Sequence, residues 1–333
     1  MKVAIIGGGT MGSVYANNIA KMKDVQPAGV CDIRSEKAEK SAKACSTNAY
    51  TDMGQLLAKE DPDVVCLCIP TYLHRNYFEQ LAAAGKHIIC EKPIALSLED
   101  ARSMIDSCRK HQVHGFIGQV LRFFPNYADA AEKVKYGKIG KPGIAHMKRI
   151  SAFPSGEGSW FRDREKSGGV IVDLMIHDID YARSIFGEVQ SVYARLHHSR
   201  QPGAEMEYAQ VTLKFRNKAI ANLEGFWGYP GPFTTAYDIA GDQGIIRFDS
   251  SQSHSLDIKT GQTGLTVSRQ VQVPQSPMKH DPYYYEISHF LDCIREEKAP
   301  IVSMNDACHA LSIALAAEQS ARTGMPVEME GEL

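Results

Sequence analysis

Long apolar runs are missing from this chain: "VVCLCI" at 64–69 is far short of the ~20 residues a membrane-spanning helix needs. The start, "MKVAIIGGG", lacks the apolar core and cleavage site of a secretory leader. An excess of one charge sign is missing as well. The net charge is −2 with no basic block, which argues against nucleic acid or a membrane surface as a partner. None of the eight cysteines (31, 45, 66, 68, 90, 108, 293 and 308) stands in a C-x-x-C pair, and H-E-x-x-H spacing does not occur. A disulfide framework and a zinc site are therefore not expected, and buried, reduced thiols in a cytoplasmic protein are. Repeats and low-complexity tracts are absent too.

What is there is ordinary globular composition, 44% hydrophobic and 23% charged, over 333 residues, a length that favours two domains. In the first part, short apolar runs alternate with helical patterns. "VAII" (3–6), "PAGVCD" (27–32), "DVVCLCIP" (63–70), "KHIIC" (86–90) and "VHGFIG" (113–118) read as strands. Helical spacing fills the gaps, with Gly85 closing one helix and a Ser97/Asp100 capping box opening another. That rhythm predicts an α/β domain built on a doubly wound parallel sheet over residues 1–122. Beyond about residue 140 the pattern changes. In "EYAQVTLKF" (207–215), Ala209, Val211, Leu213 and Phe215 alternate with Tyr208, Gln210, Thr212 and Lys214. This predicts an α+β domain over 123–333 with a large, mostly antiparallel sheet open on one face. Helices are expected from Asp281–Pro282 and over 303–323, the latter packing back on the first domain.

"GGGTMG" gives Gly7-x-Gly9-x-x-Gly12 directly after a strand, with Thr10 and Met11 opening a helix. Asp32 ends the second strand. Glycines there let a pyrophosphate approach the helix N-terminus, and a carboxylate at Asp32 suits a ribose diol. Asp32 would repel a 2′-phosphate, which favours NAD; Arg34, two residues on, softens that discrimination and leaves NADP open. "CEKPIAL" sets Glu91 and Lys92 at a strand's carboxyl end, where open α/β sheets bind ligands. An exposed loop lysine is the plain alternative.

In "VDLMIHDID" (172–180), a regular helix at ~100° per residue puts Asp173, His177, Asp180 and Ser184 on one polar stripe. Such a stripe on an apolar helix is costly unless it faces something polar. A metal site or a core histidine are the competing readings. Asp178 points away from the stripe, with a buried ion pair as its one rationale.

Together, the glycine fingerprint, "CIPTYLH", Glu91-Lys92-Pro93, "GQVLRFFP", "GGVIVDLMIHDID" and the C-terminal "APIVS" and "SARTGMPV" resemble the glucose–fructose oxidoreductase/inositol dehydrogenase (Gfo/Idh/MocA) family. The resemblance covers nearly the whole chain. It implies NAD-dependent oxidation or reduction of a secondary alcohol on a cyclic polyol or sugar, without a metal. Lys92 would stabilise the reacting oxygen, His177 would be the general acid/base, and Asp173 would hold substrate hydroxyls. Ile69, Pro70, Thr71, His74, Glu91 and Gln119 would line the cofactor, and the Lys92–Pro93 bond would be cis. Assembly as a tetramer or dimer through the open sheet is implied as well.

Asp180, Arg122, Trp160 and Tyr284 are the candidates for substrate contact. Trp160 lies in "FPSGEGSWFRDREKSGG" (153–169), where a ring could stack on a sugar face. Two rival functions fit the same motifs: a glycosidase that retains NAD and oxidises C3 transiently, and a non-catalytic NAD-bound sensor. Retention of Lys92, Asp173 and His177 argues against the sensor.

Overall fold

The computed structural model describes residues 1–154, 157–199, 201, 205–252, 257–260 and 280–329. Its elements, in chain order, begin with β1 (Lys2–Ile6), α1 (Thr10–Ile19), β2 (Gln26–Cys31), α2 (Ser35–Ala44), β3 (Ala49–Tyr50), α3 (Met53–Glu60) and β4 (Val64–Leu67). Then come α4 (His74–Ala83), β5 (His87–Glu91), α5 (Leu98–His111), β6 (Gly115–Gly118), α6 (Pro125–Lys135), β7 (Pro142–Ser151), α7 (Arg164–Ser167) and α8 (Ile176–Phe186). The rest are β8 (Val189–Ser199), β9 (Met206–Phe215), β10 (Ile220–Trp227), β11 (Thr234–Gly241), β12 (Gly244–Asp249), β13 (Asp257–Thr260), α9 (Pro282–Glu296), α10 (Met304–Thr323) and β14 (Val327–Glu328).

Contacts divide the described residues into two compact units. The first takes Met1–Phe123, Asp163–Ser167 and His280–Leu311; the second takes Phe124–Arg162, Gly168–Lys279 and Ser312–Leu333.

In the first unit the apolar runs form a six-stranded sheet in the order β3-β2-β1-β4-β5-β6, every pairing parallel. Strand order reverses between β1 and β4, and their carboxyl ends are where such a sheet leaves a ligand crevice. Local signals set the helix limits. Ser97 accepts the Asp100 amide at 3.1 Å and starts α5, as the capping box predicts. Asp281 does the same for α9 through the Tyr284 amide at 3.2 Å, with Pro282 in the first turn. The apolar stripe of α9 (Ile287, Phe290, Leu291, Cys293) is buried with Val3, Ile5, Ile89 and Phe116 in one core. Phe116 and Phe290 stack at 4.7 Å.

The second unit is built on an eight-stranded sheet, β13-β12-β11-β7-β10-β9-β8-β14. Among the described residues, only β7 and β10 run parallel in this sheet; its other pairings are antiparallel. The alternation in β9 is the expected one: Ala209, Val211, Leu213 and Phe215 are buried, while Tyr208, Gln210, Thr212 and Lys214 are not. Glu207, in phase with the buried set, is completely buried too. An aromatic knot anchors α6 and α8 to this sheet. Tyr127 makes edge contacts with Tyr181 and Tyr237, each at 4.9 Å. The Tyr181 hydroxyl donates to the Tyr127 carbonyl at 2.8 Å.

Candidate active site

The turn after β1 shows why the glycines are there. A Cβ at Gly7 (φ +98°) would lie 2.1 Å from the Cys68 carbonyl oxygen, and one at Gly12 would lie 1.8 Å from that of Gly7. A Cβ at Gly9 meets nothing within 4 Å. Two glycines thus allow tight packing, and the third keeps backbone open at the start of α1, beside Thr10 and Met11, which are not buried. Asp32 locks this turn: its Oδ2 accepts the Gly8 amide at 2.8 Å, and its Oδ1 accepts the Arg34 amide at 3.0 Å. The Arg34 Nε lies 3.6 Å from Oδ1. An open glycine backbone at a helix N-terminus next to a fixed carboxylate suits a dinucleotide's pyrophosphate and ribose.

At the ends of β4 and β5, His74 acts as a clip. It is buried, with Nδ1 at 2.9 Å from the Pro93 carbonyl and Nε2 at 3.0 Å from that of Ile69. Burial holds its pKa below the ordinary value, against the pull of these carbonyls. His74 therefore ties the Ile69–Pro70–Thr71 loop to the turn carrying Lys92, rather than presenting a free imidazole. The Lys92–Pro93 bond is cis. Glu91 is buried, and its Oε2 accepts the Lys92 amide at 3.2 Å. Glu91 pairs in register with Gly118. The next residue, Gln119, is 1% exposed, and neither atom of its amide has a hydrogen-bond partner among the described residues. A buried orphan amide at the carboxyl edge of the sheet is consistent with a ligand's polar group completing it.

Around Gly118 lies a buried acid that the sequence did not announce. The Tyr15 hydroxyl donates to Glu286 Oε2 at 3.5 Å, both residues fully buried. Burial first, then the neighbouring Glu91 charge, push the Glu286 carboxyl well above the usual range, while the Tyr15 bond opposes them. The folded state then holds a proton that the unfolded chain releases above about pH 4.3. The stability from this group is complete below that value and is lost as pH rises toward the raised pKa. Glu286→Gln removes the loss. Its melting temperature relative to the parent is expected to rise by about 2–6 °C between pH 5 and pH 8. Thermal melts at both pH values check this, and an equal gap at both would refute a protonated Glu286.

Arg122 is committed within the first unit. It donates to the Ile301 carbonyl at 3.2 Å, lies 3.9 Å from Asp306, and its side chain is 12% exposed. Tyr284 stacks on His280 at 3.9 Å.

In the second unit, the stretch around His177 departs from the expected regular helix. Gly168 and Gly169 (φ +75° and +70°) lead into a π-helical turn, Val170–Leu174, closed by the Met175 amide on the Val170 carbonyl at 2.9 Å. The α-helix starts only at Ile176. A π-turn advances less per residue than an α-turn, so the single wheel through Asp173, His177 and Asp180 does not hold. Asp173 belongs to the π-turn; His177 and Asp180 belong to α8. From 169 to 182 every residue is buried except His177. Asp178 has its ion pair: Arg149 Nε and Nη2 donate to its two oxygens at 2.7 and 3.1 Å. Trp160 stacks on Phe161 at 3.8 Å, and Phe161 stands edge-on to Trp227 at 5.9 Å. Ser155 and Gly156 of that loop lie outside the described residues.

Sequence reasoning missed Arg149, Glu207 and Glu286. Only Glu207 carried a local signal, its even spacing from the buried residues of β9. Among the described residues, no helix is long and apolar enough to cross a membrane.

Residues 1–119 match the family model described as "Oxidoreductase family, NAD-binding Rossmann fold", and residues 131–329 match its "C-terminal alpha/beta domain". Myo-inositol 2-dehydrogenase of Thermotoga maritima is 29% identical over 99% of this chain and 99% of its own. The NAD(+) scyllo-inositol 2-dehydrogenase of Bacillus subtilis is 28% identical, over 99% of this chain and 96% of its own. Among solved structures, GenD2 from gentamicin A biosynthesis, in complex with NAD, superposes with a TM-score of 0.86 at 22% identity, covering 99% of this chain and 97% of that one.

Proposed function

Because the chain belongs to the Gfo/Idh/MocA family of oxidoreductases with an NAD-binding Rossmann domain, we propose that it is a dehydrogenase of a cyclic polyol or pyranose-type sugar. NAD, when bound, supplies the hydride acceptor or donor. The chain's own residues handle the proton and the charge. His177 takes the hydroxyl proton of the substrate, since a near-neutral imidazole suits that transfer. Lys92 stabilises the alkoxide that develops as hydride leaves carbon. Asp173, held in the π-turn, orients the hydroxyls; Asp180, Trp160 and Tyr284 are the further candidates for contact with substrate.

The observation that carries this reading is that His177 alone is only half-buried in an otherwise buried segment. A core histidine would be buried with its neighbours, and a solvated surface histidine would not interrupt a run of buried residues. Inositols are the first substrates to try, because two similar relatives bear inositol dehydrogenase names.

The test is a panel of inositols, aldoses, glycosides and sugar acids read by NADH absorbance. Turnover on a free polyol or sugar is expected. NAD that stays bound while a glycoside is cleaved, with no net NADH, would move the assignment to the glycosidase reading. The Asp32 carboxylate sets the cofactor: NAD is expected to exceed NADP in kcat/KM by about tenfold or more. Asp32→Ser should narrow that ratio, and a parent enzyme that works as well with NADP would refute the role.

Assembly through the open face of the second sheet belongs to the same proposal. That face holds a shallow hollow of about 410 Å³ lined by residues of both signs, Lys148, Glu224 and Asp238 among them, which supports contact with a second copy through a self-complementary patch. Light scattering on the purified chain is expected to give a dimer or tetramer.

A further inference from the structure

Three neighbouring strands each fix one point of the segment 170–178. On β9, Glu207 is fully buried and accepts the Val170 amide at 2.7 Å, the first amide of the π-turn. On β10, Gly225 leaves the space that Met175 fills: a Cβ there would stand 2.4 Å from Met175 Cγ and 2.5 Å from its Sδ. On β7, Arg149 holds both oxygens of Asp178, the two side chains being 5% and 2% exposed. The strands lie in the order β7-β10-β9. Arg149 pairs with Gly225, and the row two residues on contains Ser151, Trp227 and Glu207. All three anchors therefore sit on one patch of the covered face.

Leucine side chains would hold a helix on a sheet without desolvating any charge, whereas a buried ion pair or glutamate carries that cost. Polar anchors add direction instead. A hydrogen bond is met in one register and orientation, while apolar contact tolerates sliding. Asp173 lies between the first two anchors in sequence, and His177 between the last two.

We propose that Glu207 and Arg149 are positioning residues: through Val170 and Asp178 they fix the angular setting of Asp173 and His177. The catalytic consequence rests on the function assigned to His177, but the setting itself is observable without a substrate. Arg149 is further confined by the Phe233 ring, 5.9 Å from its guanidinium carbon.

The experiment is NMR of protein labelled at histidine Cε1, with the His177 signal identified by its loss in His177→Asn. The parent and Glu207→Gln, which keeps a carbonyl acceptor for the Val170 amide, are expected to share one sharp signal. Glu207→Met and Arg149→Met retain bulk without the bonds, and each is expected to shift or split it. In these variants kcat falls by about 10- to 100-fold, while KM for NAD stays within about twofold. An unchanged His177 signal in both methionine variants would overturn the proposal, whatever their melting temperatures. So would loss of folding in both with Glu207→Gln no better, since the anchors would then be purely structural. Absence of turnover in every variant, the parent included, would count against the dehydrogenase reading and leave the spectral comparison decisive for positioning.

Discussion

Turnover in His177→Asn falls by about a hundredfold or more, with NADH still bound at about the parent affinity. The residue is the one unburied position between 169 and 182, so its replacement opens no core cavity and leaves the fold intact. On the proposed function, what is lost is the group that takes the hydroxyl proton. Lys92→Met is expected to cost about as much, because in the proposed mechanism the alkoxide would then develop without a cation beside it. If the two groups serve one step, the double variant loses little more than the worse single one, since groups acting as a unit are far from additive. Steady-state kinetics on the substrate found by the polyol panel, with fluorescence titration of NADH, would check all three. Turnover in either single variant within about threefold of the parent would remove the role assigned to that residue.

The glycine turn gives the second large effect, and it separates by position. Gly7→Ala forces a methyl to within 2.1 Å of the Cys68 carbonyl oxygen at a φ of +98°, and Gly12→Ala brings one to 1.8 Å of the Gly7 oxygen. Backbone cannot yield there without moving β1 or β4. Each variant is expected to lose on the order of 3 kcal/mol or more in stability and to lose NADH binding with it. Gly9→Ala meets open space instead. It should melt like the parent yet bind NADH about tenfold or more weakly, because the added methyl stands where a pyrophosphate must approach the amides. Calorimetry beside titration distinguishes the cases. Gly9→Ala with unchanged affinity would show that the cofactor does not use this turn.

Much of the fold was legible because its signals are local. The glycine fingerprint, the Ser97 cap, the Pro282 first turn and the strict alternation through Phe215 each depend on residues within a few positions of one another. The π-turn was not legible. "VDLMIHDID" carries no mark of an i to i+5 bond; the bond forms where Glu207, on another strand, takes the Val170 amide and Gly225 admits Met175. The wheel drawn through Asp173 and His177 failed for that reason. For Asp178 the sequence offered a buried ion pair but no partner, because Arg149 lies on a strand that only the sheet brings near. The resemblance implied that His74 lines the cofactor; that its two ring nitrogens also face the carbonyls of Pro93 and Ile69, tying two loops together, is a fact no single stretch of sequence displays.

The burial of α9 in the first unit's core bears on how this protein is made. Residues 1–123 leave the ribosome first, yet Ile287, Phe290 and Leu291 complete the core that Val3, Ile5 and Phe116 begin. At the usual pace of synthesis, roughly 5–20 residues per second, the nascent nucleotide-binding sheet waits many seconds with that apolar face uncovered. The growing chain is thus a natural client for a holding chaperone. A stop codon anywhere before α9 would yield a sticky, unfinished fragment instead of a small working domain.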